Sequence, residues 1–152
     1  MNLKIKEIEK INLKGMRKKF SGKAANRFYQ EHIMWADHHD NIQNAVSTNI
    51  PGTWYGIWDN GTYWIARKAT DVENEELNDV YVPNAIYAVF ESNFGNHAGD
   101  DLPKLRDYIF DEWLPTSGYS QSKDYEVEVY HLYPSSEKEK RHYEIWIPVE
   151  KI

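Results

Sequence analysis

The chain contains no cysteine. That absence excludes disulfide cross-links, thiolate nucleophiles and cysteine-based zinc sites. It also lacks any apolar run of the length a membrane span or a signal-peptide core needs, and the Lys-rich first twenty residues contain none either. A cytoplasmic protein with no membrane attachment is the expectation. Basic residues are in the minority, 18 Lys and Arg against 24 Asp and Glu, for a formal charge of −6. This balance argues against nucleic acid as a direct partner and suits the attraction of cations. The glycine-bearing stretch "GNHAGD", Gly95 to Asp100, has neither the spacing of a phosphate-binding loop nor that of a calcium loop.

What the chain has is aromatic surface. Its 152 residues suit one domain, residues 1–152, and 41% hydrophobic with 28% charged residues is a globular composition. Aromatics reach 14%, with six Trp and eleven Tyr, more than a core of this size needs. Strands favour such residues, but a surplus of this kind also points to rings lining a pocket.

The periodicities predict helices over residues 22–39 and from about Asp100 through "DDLPKLRDYIFDEWL". In the second, Asp100 or Asp101 reads as the N-cap and Pro103 as a first-turn residue. Leu102, Leu105, Ile109 and Trp113 form its buried stripe, and Pro115 and Gly118 stop it. Strands are predicted over Lys4–Asn12, Thr53–Trp58, Tyr63–Ala69, Ala85–Glu91, Tyr125–Leu132 and His142–Val149. Asn60-Gly61 marks a hairpin turn, and "YPSSEKEKR" from Tyr133 forms the polar turn of a second hairpin. "KATDVENEELNDVYVP", acidic and without an apolar period, reads as a connection.

In order, these elements are β-α-β-β twice. "TYWIARKA" from Thr62 and "HYEIWIPV" from His142 lie 80 residues apart and resemble each other, which points to pseudo-repeats of about 1–70 and 80–152. The expected fold class is α+β: tandem duplicated βαββ units forming one antiparallel sheet, with two main helices on one face and a central ligand cleft on the partly open side.

The stretch "YEVEVYHLY", Tyr125 to Tyr133, sends Val127 and Val129 to one face and Glu126, Glu128 and Tyr130 to the other. A carboxylate on a cleft-facing interior strand is desolvated and favours a cation, and neighbouring rings add cation–π attraction. On a wet face it would be merely solvated, which is the reading for Glu126, nearer the strand end. In "HYEIWIPV", Ile145, Ile147 and Val149 are expected to face the helices, sending Glu144 and Trp146 to the cleft. The repeat makes Trp64 the counterpart of Glu144. In "TWYGIWD" either Trp54 and Trp58 or Tyr55 and Ile57 face the cleft, since both sets are apolar.

Other constellations carry less. Adjacent histidines of "DHHD", Asp37 to Asp40, point about 100° apart on a helix and do not share one ion easily. Neither a metal nor a cofactor is expected. His97 reads as part of a loop at the lip of the cleft, and Ser117 as a turn residue.

"VPNAIYAVFES", "IFDEWLPTSGY", "EVEVY" and "YEIWIPV", in that order, resemble the GyrI-like small-molecule-binding domain, also known as the AraC-type effector-binding domain when attached to transcription activators. The resemblance runs from Pro83 to Val149, and more loosely over Thr53 to Ala69. It implies a tandem βαββ fold with a ligand cleft, diverse aromatic and cationic ligands, and a functional carboxylate at Glu128, followed by Val129 and Tyr130. Arg67 stands about where many members carry a glycine. No helix-turn-helix precedes the domain, so in family terms this is an effector domain acting with a possible separate regulator protein.

Together these readings predict binding of amphipathic aromatic, cationic small molecules for sensing or sequestration. Glu128 is the counter-ion, and Tyr130, Trp146, Trp64, Trp54, Tyr55 and Glu144 line the site. One alternative is a hydrolase of cyclopropane-bearing natural products in which Glu128 activates water. Another is an interaction module that shields a partner from a toxin.

Overall fold

Alternating apolar residues and turn chemistry produce nine strands among the described residues, which in this computed structural model are 2–19, 52–68 and 77–152. The strands are β1 Asn2–Ile8, β2 Ile11–Lys19, β3 Gly52–Asp59, β4 Thr62–Lys68, β5 Asn78–Val82, β6 Ala85–Glu91, β7 Tyr119–Gln121, β8 Tyr125–Leu132 and β9 His142–Lys151. The helix expected over residues 22–39, and "DHHD" with it, lies outside the described residues.

The Asn60-Gly61 turn takes the form the dipeptide predicts. Asn60 at φ 47° and Gly61 at φ 87° give a primed hairpin turn, which closes β3 on β4 with Asp59 opposite Thr62. β4 begins at Thr62 and β9 at His142, the two positions at which the sequence similarity begins.

The main helix, α1, covers residues 98–116. Its α-helical first part is Ala98–Asp107, a π-helical stretch follows at Tyr108–Trp113, and the last turn is Leu114–Thr116. It starts earlier than predicted: His97 is the N-cap, and its carbonyl accepts from the Asp100 and Asp101 amides. Asp100 and Asp101 therefore sit in the first turn, where their charge suits the helix dipole, and Pro103 lies inside the helix rather than at its start. The predicted stripe is observed, with Leu102, Leu105 and Ile109 buried and Trp113 packed edge-on against Phe90. Ser117 is a turn residue, its hydroxyl accepting from the Tyr119 amide at 3.0 Å.

The strands form one antiparallel sheet in the order β1-β6-β9-β8-β3-β4-β2-β5, with β7 added beside β9. Besides β7, which was not predicted, two strands differ from expectation. The predicted Lys4–Asn12 strand is interrupted at Glu9-Lys10, and part of the predicted acidic connection, Asn78–Val82, is β5. Their pairing explains both. Ile8 opposes Ala85 and Ile11 opposes Val82, so β1 and β2 pair with β6 and β5 in a single continued register. That shared ladder joins the two ends of the strand order, and the sheet rolls on itself.

Rolling gives the sheet two covered faces. One packs under α1 and gathers Trp54, Tyr63, Phe90, Tyr130, Ile145 and Ile147 around the helix stripe. The other gathers side chains from every long strand pair, among them Leu13, Tyr55, Trp64, Tyr87, Val127 and Trp146. The second face is the closed interior of the roll, not a partly open side. This is why the middle residues of β3, β4, β8 and β9 are largely buried on both faces.

Candidate functional site

Glu128 lies in the middle of β8, 2% exposed, on the face beneath α1. Residues directly opposite in an antiparallel pair share a face, and Glu128 is opposite Ile145 of β9, a member of the helix-face core. Its Oε1 accepts hydrogen bonds from the Tyr63 hydroxyl at 2.7 Å and the Tyr130 hydroxyl at 3.0 Å, and the two hydroxyl oxygens are 3.5 Å apart. Two phenolic donors thus replace part of the water that a carboxylate loses on burial.

The room for this arrangement comes from Gly56, the residue facing Glu128 on β3. A Cβ at Gly56 would stand 2.3 Å from the Tyr63 hydroxyl oxygen and 2.5 Å from Glu128 Oε1. Around the carboxylate the floor is aromatic. Trp54 opposes Tyr130 across β3 and β8, the Trp58 ring lies 4.9 Å from that of Tyr63, and Tyr143 meets Tyr130 edge-on. Arg67, which is buried, holds its guanidinium 4.9 Å from the centre of the Trp54 ring and reaches over Gly52.

The structure therefore divides the sequence-predicted site between two faces. Glu128, Tyr130 and Trp54 come together under α1, and the choice left open in "TWYGIWD" falls to Trp54 and Trp58 on that side. Tyr55, Trp64, Trp146 and Glu144 are on the other face. Tyr55 and Trp146 meet edge to face at 6.2 Å inside the roll, Tyr87 lies 6.0 Å from Trp146, and Arg17 caps Trp64 at 5.4 Å. The reason is register: Val127 opposes Trp146 and Val129 opposes Glu144, so Trp146 and Glu144 share the valine face rather than that of Glu128.

Glu144 sits near one end of this interior. It accepts from Trp146 Nε1 at 3.2 Å and pairs with His131 Nε2. Burial alone would raise its pKa, but the hydrogen bonds from His131 and Trp146 outweigh that and hold it below the ordinary carboxylate value. His131 stacks on His142, which stacks on Phe94.

Glu126 corrects another expectation. It is 7% exposed and forms a two-pronged ion pair with Arg106 of α1, Oε2 with Nη1 and Oε1 with Nη2 at 2.9 Å, so it ties helix to sheet instead of facing water. Tyr63 is the neighbour of Glu128 that the sequence did not single out. Its parity with Ile65, opposite to that of Trp64, was the available signal. His97 is exposed at the helix start. Among the described residues no group of three metal-ligating side chains converges, and no helix is long and apolar enough to cross a membrane.

Among the described residues, one long helix is laid over a rolled antiparallel sheet and its buried, tyrosine-bonded glutamate. The family model of the GyrI-like small molecule binding domain matches residues 1–150, and the chain belongs to that family. It is a small-molecule-binding domain. Among solved structures it resembles a putative bacterial transcription regulation protein from Staphylococcus aureus MU50, at 18% identity and TM-score 0.68 over 99% of each chain. It also resembles SAV2435 bound to tetraphenylphosphonium, at 15% identity and TM-score 0.67 over 99% of this chain and 94% of that one. The EcmrR C-terminal domain aligns at 16% identity and TM-score 0.63 over 99% and 98%. At these identities the likeness is one of fold. No match is found among the curated proteins.

Proposed function

We propose that the domain binds amphipathic aromatic cations on the face beneath α1, with Glu128 as counter-ion and Trp54, Tyr63 and Tyr130 as surrounding rings, for sensing or sequestration. The observation that carries this reading is a carboxylate buried to 2% exposure on an aromatic floor, with Tyr63 and Tyr130 bonded to it. A ligand that brings positive charge beside a buried carboxylate gains Coulombic attraction, and ring faces add roughly 0.5–2 kcal/mol for each well-placed cation–π contact. That the similarly folded SAV2435 has been solved with tetraphenylphosphonium, a cation wrapped in rings, supports the same ligand class. As an effector domain the protein would pass its signal to a separate regulator, or else hold the compound away from its target.

The test is Glu128→Gln, titrated with one cationic and one neutral dye of equal size by Trp fluorescence. The charge is lost while shape and hydrogen bonding are largely kept. The cationic dye should lose about 1–3 kcal/mol and the neutral dye far less. Equal losses for the two dyes would remove the counter-ion role.

A further inference from the structure

A cavity of about 230 Å3 opens on the interior face of the rolled sheet, at the end where β3, β5 and β8 meet. Its floor is apolar, formed by Ile57, Val82 and Val127 of the interior core. These residues have the opposite strand parity to Gly56 and Glu128, so the cavity is separate from the site beneath α1. Its walls carry Tyr81 and Tyr125, and its rim carries Asp59 and Asp79.

The polar groups of this cavity are mainly acceptors, although the Tyr81 hydroxyl can donate and Lys10 lies over the Tyr81 ring at 4.5 Å. Tyr87 donates its hydroxyl proton to the Pro83 carbonyl at 2.6 Å. The 2.7 Å bond between the Tyr87 and Tyr125 hydroxyls must therefore be donated by Tyr125. With its only proton committed, the Tyr125 oxygen offers the cavity lone pairs. Asp59 and Asp79 are acceptors as well. Asp79 has a loose ion pair with Lys14 at 3.6 Å and is largely exposed, while the Asp59 carboxylate has no ion pair or hydrogen bond among the described residues. An apolar floor, two phenol rings and a rim of acceptors bearing negative charge call for a ligand with a short apolar body and a protonated head rich in N–H donors. The volume lies below the roughly 300–1,000 Å3 of drug-sized sites, so the ligand is small.

We propose that this cavity is a second binding site, for small protonated alkylamines, independent of the aromatic-cation site at Glu128. The ammonium sits between Asp59 and the Tyr125 oxygen, Asp79 adds long-range attraction, and the alkyl chain lies on Ile57, Val82 and Val127.

The test is calorimetric titration with n-butylamine and 1,4-diaminobutane at neutral pH, with n-butanol as the uncharged analogue, repeated on Asp59→Asn, Asp79→Asn and Glu128→Gln proteins. Both aspartates are on the surface, so their variants should fold as the parent does. The amines should bind and butanol should not. Asp59→Asn should weaken the amines about tenfold or more, Asp79→Asn should weaken them less, and Glu128→Gln should leave them unchanged. Three results would each overturn the proposal: no heat from either amine at tens of millimolar, equal binding of amine and alcohol, or a loss in Glu128→Gln without one in Asp59→Asn. The last would place the amine at the aromatic-cation site, and failure of either site leaves the other to be judged on its own variants.

Discussion

Gly56 and Glu128 face each other across β3 and β8, and the glycine's missing side chain is the space in which the carboxylate meets Tyr63. The two positions also correspond in the duplicated topology. Ala66 and Trp146 are 80 residues apart, matching the offset between Thr62 and His142, and their hairpin partners are Tyr55 and Val127, each one residue before Gly56 and Glu128. A strict repeat would set two carboxylates against one another at the centre, where both could not stay ionised easily. Gly56→Ala should therefore disturb the site from the strand facing Glu128. Neither the Tyr63 ring nor the strand-centred Glu128 can move away cheaply, and overpacking of this kind costs about 1–3 kcal/mol. Urea unfolding should register that loss, and titration should show a matching loss of cationic-dye affinity. Unchanged stability and affinity would mean the Glu128–Tyr63 contact is slack.

The two phenols on Glu128 can be separated. Tyr63→Phe removes the shorter hydrogen bond and Tyr130→Phe the longer one, each leaving its ring in place. Hydrogen bonds to a charged group are worth about 1.5–3 kcal/mol, so each variant should lose stability, Tyr63→Phe more than Tyr130→Phe. Because both share Oε1, the double variant should depart from the sum of the singles. A double-mutant cycle by chemical denaturation measures this, and strict additivity would count against a shared carboxylate.

Much of the fold was legible in the sequence: the primed turn at Asn60-Gly61, the stripe Leu102-Leu105-Ile109-Trp113, and the likeness between the strands starting at Thr62 and His142. Glu128 was legible as a carboxylate set beside aromatic rings. Its companions were only half so, for a physical reason. Alternation sorts residues into two sets without saying which set lies under the helix, and the usual guide, one apolar side and one wet side, fails in a sheet rolled so that both sides are buried. Trp146 and Trp64 therefore looked like cleft residues when they fill the interior of the roll. Strand β5 was hidden because "NDVYV" is short and follows an acidic run. Its pairing partner, β2, is more than sixty residues away.

The Arg106–Glu126 pair fixes the helix over the site. Arg106→Met leaves Glu126 nearly buried without that cation. Losing one partner of a buried pair costs about 3–5 kcal/mol when burial is complete, and Arg106 is itself partly exposed, so a smaller loss, about 2–3 kcal/mol, is expected. Replacing both residues, Arg106→Met with Glu126→Leu, removes the buried carboxylate as well and should recover part of that loss. Thermal melts of the two variants decide it, and a double variant no better than the single would mean the cost arises from packing of the Arg106 side chain over Phe110.

Acid should weaken the fold through Glu144. Burial pushes the Glu144 pKa up, the hydrogen bonds from His131 and Trp146 pull it down further, and the net displacement is below the ordinary value of 4.5. A carboxylate whose folded-state pKa is depressed adds stability that is fully present above its unfolded value and is lost as pH falls through the folded one. Glu144 should thus leave stability level from neutrality down to about pH 5 and erode it below about 4.5. Glu144→Gln removes the titration at this position. Compared with the parent, the variant should lose less stability between pH 6 and pH 3, even if it begins lower because its pairing with His131 is weaker. Urea midpoints at a series of pH values give the slope directly. A variant whose acid limb runs parallel to that of the parent would show that the His131–Glu144 contact does not differ in energy between the folded and unfolded chains.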